Sequence, residues 1–146
     1  MLDTIPQADL MQHIRDGISH MKVSTVYLVN GGDVHSDHEA VFAATMSVLK
    51  PFHMLDLGVK RILAYETLSS TEAAPANHAR QFVPTVFSDI THSLEQKIDI
   101  FEIYRSEAQG ELFPRNASAL RALARLRGAT IGVEYGEAFA IVRELI

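Results

Sequence analysis

Two short apolar segments, separated by a helical pattern, constrain the fold of this chain more than any other feature. Thr25 to Val29 (TVYLV) and Arg61 to Tyr65 (RILAY) are rich in β-branched and aliphatic residues. The first is apolar at successive positions, which is typical of a strand buried on both faces of a parallel sheet. The second follows a helix, and strands joined by a crossover helix run parallel. The sequence therefore predicts an α/β domain.

Helical patterns surround the two predicted strands. Ile5 to Met21 opens with a proline and repeats apolar residues at every fourth position, which predicts an amphipathic helix. Ser36 and Glu39 form an S-x-x-E capping box, so a second helix is expected to begin at Ser36. Lys50-Pro51 is expected to end it.

The second half of the chain predicts fewer strands and more helix. Thr85 to Ile90 reads as a short extended segment, and Thr91 is expected to cap a helix with Leu94, Ile98, Phe101 and Tyr104 on one face. A further helix is expected from Asn116 to Arg127, stopping at Gly128. The tail from Tyr135 to Ile146 fits either a strand or a helix. All 146 residues are expected to form one domain with a Rossmann-like parallel sheet that has few strands and open edges.

Composition excludes several classes of function. The net charge is −5, from 13 basic and 18 acidic residues, and basic residues occur only in scattered pairs, so nucleic-acid binding is not expected. The absence of cysteine excludes disulfides, thiolate metal sites and a cysteine nucleophile. No signal-peptide pattern or run of the ~20 apolar residues that span a membrane is present, so a soluble, cytoplasmic protein is expected.

One polar segment carries the chemistry. Asp33 to His38 (DVHSDH) follows the first predicted strand and opens the next helix, which is where open α/β sheets bind ligands. His35 and His38 can converge there, and Asp37 between them can orient an imidazole by accepting its N–H. The alternative is a polar loop whose histidines cap the helix. The loop from Glu66 to Pro84 is a candidate rim of the same site. No role in chemistry is expected for the remaining histidines, His13, His20, His53, His78 and His92.

Five stretches of the sequence, in one order over nearly the whole chain, match a known family. They are Gly32 to His38, Tyr65 to Glu72, Phe113 to Arg115, Leu123 to Gly128 and Glu137 to Phe139. With these stretches the chain resembles the later part of the PIG-L/LmbE-like zinc-dependent de-N-acetylases. The motif GDVHSDH is most similar to members associated with amino-sugar or surface-polysaccharide biosynthesis. Two positions depart from the family pattern, since Asn116 stands where serine is usual and Gly136 where alanine is usual.

The resemblance implies a LmbE-like parallel sheet flanked by helices and roles for individual residues. It implies that His38 is a ligand of zinc or another divalent metal. It also implies that His35 polarises the amide carbonyl or protonates the leaving amine, supported by Asp37. The substrate would be an N-acetylated amino sugar, and the resemblance places four residues at the border of its cleft: Ser70, Thr71, Glu72 and Arg115.

The family's front motif is absent from this sequence. Family enzymes begin with a strand leading into an H-P-D-D-type motif, which supplies two further zinc ligands and the general base. The chain contains no Asp-Asp pair, and a catalytic zinc normally has three protein ligands, so an incomplete metal site is expected. The chain is therefore expected to be the C-terminal portion of a deacetylase, lacking its first strands and inactive without them. An N-terminal half or a homo-oligomer partner could complete it. The alternatives are a non-catalytic sugar- or partner-binding module, one half of a split enzyme, or a fragment without independent function.

Overall fold

The computed structural model describes residues 2–75 and 81–146. Within these ranges, a 3₁₀ turn at Leu2–Thr4 precedes five α-helices and four β-strands. In chain order these are α1 (Gln7–Met21), β1 (Thr25–Val29), α2 (Ser36–Val48), α3 (Pro51–Leu57), β2 (Arg61–Tyr65), β3 (Val86–Asp89), α4 (Leu94–Ile103), α5 (Ala117–Ile131) and β4 (Gly136–Glu144).

The sheet is mixed and has the strand order β1-β2-β4-β3. β1 and β2 are parallel, with Thr25 opposite Arg61 and Val29 opposite Tyr65, as the sequence predicts. β3 and β4 are antiparallel. The tail is a strand, which settles the choice that its sequence left open. The fold is thus the expected α/β class, with an antiparallel pair beside the parallel one.

Contacts divide the chain into two compact units, 1–83 with 140–146 and 84–139, and β4 passes from one to the other. The core of the first unit is built from aliphatic side chains of α1, α2, α3, β1 and β2, with Leu49, Met54, Val59 and Ile62 fully buried. The core of the second unit lies between α4 and α5 and contains Ile90, Leu94, Ile98 and Ala124.

Three expectations in the first unit are wrong in detail. The helix cap is His35 rather than Ser36, because the His35 imidazole accepts the Asp37 N–H and leaves Ser36 inside the helix. α2 ends at Val48, and Pro51 begins α3 instead of only ending α2, since proline suits a first helical turn. β1 is not buried on both faces, because it is an end strand and its Tyr27 is 58% exposed.

Two expectations in the second unit are also wrong. Thr91 does not cap α4, which begins at Leu94. The backbone N–H of Thr91 instead donates to the Asp89 side chain at 2.9 Å in a turn. α5 does not stop at Gly128 but runs to Ile131 and ends at Gly132, which has the left-handed backbone of a C-cap. Glycine at position 128 allows the Tyr135 backbone to approach the helix closely, since a Cβ there would lie 2.8 Å from that backbone.

The other predicted boundaries agree with the structure to within a few residues. Within its described parts, the predicted loop from Glu66 to Pro84 contains no helix or strand. Asn116 caps α5 through its side-chain oxygen. No helix in the ranges 2–75 and 81–146 is long and apolar enough to span a bilayer.

Candidate functional site

The candidate site lies in the first unit, at the carboxyl ends of β1 and β2. The backbone N–H of Asn30 donates to the Tyr65 carbonyl at 3.1 Å, which keeps the chain beside β2 just after β1 ends. The Val34 N–H donates to the Ser70 carbonyl at 3.3 Å. These bonds hold the Asn30–Val34 loop against the loop that follows β2, so the two predicted parts of the site are adjacent.

Asp33 is the buried centre of the site. The residue is 2% exposed, and the burial of its carboxylate is compensated by three side-chain partners. Oδ1 accepts from the Thr71 hydroxyl at 2.7 Å and from the Asn30 amide at 3.2 Å. Oδ2 lies 2.8 Å from Nδ1 of His38.

The contact with Asp33 fixes the form of the His38 ring. A carboxylate, when ionised, only accepts hydrogen bonds, so this contact favours the His38 tautomer that carries its proton on Nδ1. In the neutral ring this leaves the lone pair on Nε2, which is the form that a histidine has when it binds a metal and donates to a carboxylate behind it. The side chain of His38 is 20% exposed.

His35 has the opposite form. Its Nδ1 accepts the backbone N–H of Asp37 at 3.2 Å, so the neutral ring carries its proton on Nε2. The two imidazoles are stacked, with centroids 4.8 Å apart and ring planes at 22°. The pair therefore presents one nitrogen lone pair, on His38, beside one N–H donor, on His35.

Sequence reasoning missed Asp33 as the partner of an imidazole and gave that role to Asp37. The Asp37 carboxylate accepts the backbone N–H of Leu2 at 2.5 Å, and its backbone N–H is what binds His35. A supporting role of Asp37 for His35 stays a prediction. The signal for Asp33 was its place at the end of a buried strand, five positions before His38.

The four residues expected at the substrate cleft differ in their burial and in their hydrogen-bond partners. Ser70 is buried, and Thr71 binds Asp33, so both belong to the support of the histidine loop. Glu72 is exposed and its carboxylate accepts the Ser69 N–H. Arg115 lies in the second unit, where it pairs with Glu107. Its buried Nε has no hydrogen-bond partner within the described ranges. Their contact with substrate stays a prediction.

Tyr65 shows the electrostatic effect of the buried carboxylate. Its pKa is raised, first by burial and second by the negative charge of Asp33. The phenol at the carboxyl end of β2 therefore stays neutral at ordinary pH.

A groove of about 410 Å³ adjoins the histidine loop within the first unit. This volume falls in the range of roughly 300 to 1,000 Å³ typical of small-molecule sites. Gly31 shapes it, because a Cβ there would lie 2.5 Å from the Phe42 ring. Its walls are Asn30 to Gly32, Glu39, Phe42, Ala43 and Gln81.

The described residues do not by themselves fit a bound zinc ion. His38 has the protonation form of a ligand, but a catalytic zinc normally needs three protein ligands. No group of three His, Asp or Glu side chains within 2–75 and 81–146 is arranged to hold a metal. The incomplete donor set expected from the sequence stays a prediction for the whole protein.

Four of the remaining histidines fall within the described residues. His13, His20 and His92 are exposed and His53 is half-buried. His78 lies outside the described residues.

No protein-family model and no curated protein sequence matches the chain. Several solved structures are similar, and three of them follow. The N,N'-diacetylchitobiose deacetylase from Pyrococcus horikoshii gives a TM-score of 0.61 at 22% identity, over 97% of this chain and 54% of that one. The conserved protein TT1542 from Thermus thermophilus gives a TM-score of 0.71 at 20% identity, over 98% of this chain and 61% of that one. The A40926 pseudoaglycone deacetylase Dbv21 gives a TM-score of 0.59 at 17% identity, over 96% of this chain and 60% of that one.

The chain thus spans between 54% and 61% of the length of these structures, and nearly all of it is matched. Two of the three are deacetylases. At sequence identities of 17 to 22%, the similarity shows a shared fold but does not show a shared activity. The chain has the PIG-L/LmbE-like de-N-acetylase fold.

Proposed function

We propose that this chain carries the histidine pair of a hydrolase that removes the N-acetyl group from an amino sugar or sugar conjugate. The observations that carry the proposal are two hydrogen bonds at the stacked rings, between Nδ1 of His38 and Asp33 and from the Asp37 N–H to Nδ1 of His35, which favour opposite tautomers. A nitrogen lone pair beside an N–H donor can serve amide hydrolysis at a metal, as a ligand and as a donor to the developing oxyanion. The fold shared with two deacetylases supports the same reaction class.

In this proposal His35 acts on the substrate directly. Hydrolysis adds water across the acetamide C–N bond and releases acetate and a free amine. The carbonyl oxygen gains negative charge as water attacks, and an N–H donor placed there stabilises that charge. Nε2 of His35 is the donor, because its Nδ1 is occupied by the Asp37 N–H.

His38 is proposed as one ligand of zinc or another divalent metal. The other ligands and the general base would come from outside the described residues, on an N-terminal half or a partner chain. One imidazole alone binds zinc weakly, because affinity depends on the number and geometry of ligands. We therefore expect the 146-residue chain, freed of metal, to show no stoichiometric sub-micromolar zinc binding by calorimetry.

The groove beside the histidine loop is the proposed place of the sugar. Its volume of about 410 Å³ suits a small molecule, and Phe42 and Glu39 line it. An aromatic face packs against the apolar side of a sugar ring, and a carboxylate accepts hydrogen bonds from hydroxyl groups.

The test is a fusion of this chain to an H-P-D-D-bearing N-terminal segment from a deacetylase of the same fold. It is assayed for acetate release from an N-acetylglucosamine derivative and for zinc content. We expect His38→Ala to lose zinc and activity. His35→Ala should keep zinc and lose a factor of about 10² to 10³ in rate, by analogy with single oxyanion donors. His20→Ala, at an exposed position of α1, is the matched control. Full zinc and near wild-type hydrolysis in His38→Ala would refute the assignment.

The second candidate is a non-catalytic module that holds a sugar or a partner subunit. The observation that favours it is the lack of a three-ligand group within the described ranges. The same fusion distinguishes the two, since a module would bind the N-acetylated sugar without releasing acetate. Loss of that binding in a Phe42→Ala variant would place the sugar in the groove.

A further inference from the structure

The hydrogen bonds behind His38 have a direction that the proposed function does not explain. The backbone N–H of Thr67 donates to Oγ1 of Thr71 at 2.8 Å. A backbone N–H cannot accept, so this contact occupies a lone pair of the hydroxyl and leaves its proton for another partner. The proton goes to Oδ1 of Asp33, 2.7 Å away.

We propose that Thr67, Thr71 and Asp33 form a directed hydrogen-bond relay that fixes which nitrogen of His38 is protonated. Asp33 and Thr71 are then positioning residues, and Thr71 supports the ring instead of touching substrate. Only the consequence for metal binding rests on the proposed function, because the protonation form of the ring exists without metal or substrate.

The relay predicts which nitrogen of His38 is protonated in the Asp33→Asn variant. Two donors, the Thr71 hydroxyl and the Asn30 amide, point at the position of Oδ1. The oxygen of the substituted amide must face them, because its NH₂ group would meet the Asn30 NH₂ there. The NH₂ group of the substituted amide therefore occupies the position of Oδ2 and donates to Nδ1 of His38. The proton of the ring must then move to Nε2, and the metal-binding lone pair is lost.

The first measurement is the histidine ¹⁵N spectrum of the labelled 146-residue chain at about pH 8, above the ordinary histidine pKa of roughly 6.5. His38→Gln identifies the signals. We expect an Nδ1–H ring in the wild type and an Nε2–H ring in Asp33→Asn. Asp37→Asn is the matched control and should leave the His38 ring unchanged, since Asp33 holds it.

The role of Thr71 is tested in the Asp33→Asn background. Adding Thr71→Val removes one of the two donors that orient the substituted amide, so the spectrum should become a mixture of both ring forms. Adding Thr71→Ser keeps the hydroxyl and should restore the single Nε2–H form. An Nδ1–H ring in folded Asp33→Asn would overturn the relay. Should that variant not fold, an Nε2–H ring in the wild type would overturn it equally.

The second measurement uses the fused enzyme and separates positioning from substrate contact. Residues that orient a metal ligand typically change metal affinity or activity by about 10- to 100-fold. We expect Thr71→Val to lower zinc affinity and kcat within that range with KM unchanged. A raised KM with unchanged zinc affinity would show that Thr71 touches substrate and would refute its positioning role. If the wild-type fusion releases no acetate, the proposed function fails while the ¹⁵N result still decides the relay.

Discussion

Asp33 is a buried carboxylate whose charge reaches beyond the histidine that it binds. Tyr65 lies near it at the carboxyl end of β2, and its pKa is raised by burial and by the Asp33 charge. A raised pKa means that the folded state holds the phenol proton longer than the unfolded chain does. The stability this contributes is complete below the ordinary tyrosine pKa of about 10 and is lost as the pH rises through the raised value.

Asp33→Asn should therefore lower the pKa of Tyr65 without returning it to its ordinary value, because burial remains. The measurement is a titration of phenolate absorbance, with Tyr65→Phe identifying the late transition. Asp9→Asn, at an exposed position of α1, is the control and should have no effect. An unchanged late transition in Asp33→Asn would show that the Asp33 charge does not act on Tyr65.

Gly31 provides a second test at the scale of one residue. A Cβ there would lie 2.5 Å from Cδ1 of Phe42, so Gly31→Ala must displace the ring that lines the groove. Overpacking of this kind costs about 1 to 3 kcal/mol. Gly110→Ala is the control, because a Cβ at Gly110 has no atom within 4 Å. Denaturant unfolding measures both, and Phe42→Leu in the Gly31→Ala background should recover part of the loss. Equal stability of the two alanine variants would contradict the packing argument.

The histidine pair of the candidate site could be predicted from sequence, but its support could not. His35 and His38 stand close together in a recognisable polar segment after a strand. The Thr71 hydroxyl that binds Asp33 is 38 positions away, and no local pattern encodes that contact. It arises because the ends of two parallel strands meet at one edge of the sheet.

At the scale of elements, β1 and β2 were predictable to the residue, and several helix ends were not. β1 and β2 are marked by short apolar runs that end at polar or glycine residues, so their bounds agree with the structure. Helix ends depend on tertiary contacts. Gly128 resembles a helix stop signal, yet α5 continues through it. The residue is glycine because the Tyr135 backbone packs where a side chain would be.

The cap of α5 makes a prediction at this scale. Oδ1 of Asn116 accepts the Ala119 N–H at 2.8 Å, and Nδ2 donates to the Phe113 carbonyl at 2.6 Å. Asn116→Ala loses both bonds and should cost about 0.5 to 2 kcal/mol in the free energy of unfolding. Asn116→Asp keeps an oxygen for the cap but loses the donor, so it should lie between the wild type and Asn116→Ala. Equal losses in the two variants would show that the cap bond adds nothing.

At the scale of the whole molecule, the two end strands of the sheet differ in their protection. β3 has four residues and finishes with the exposed Ser88 and Asp89, and short polar end strands resist pairing with other chains. β1 has no charged residue in TVYLV, and its Tyr27 is 58% exposed. An apolar end strand of this kind is a template for pairing with another chain.

We therefore expect the isolated chain to self-associate through β1 at tens of micromolar, sedimenting as species heavier than its 16.2 kDa monomer. Tyr27→Lys places a charge on the strand and should shift the distribution towards monomer, because lysine on an end strand opposes edge-to-edge pairing. Phe52→Lys is the control, since Phe52 is 62% exposed but lies on α3. If the two variants shift the distribution equally, the association is general hydrophobic contact and not strand pairing. A wild-type chain that sediments as a monomer at these concentrations would refute association through β1.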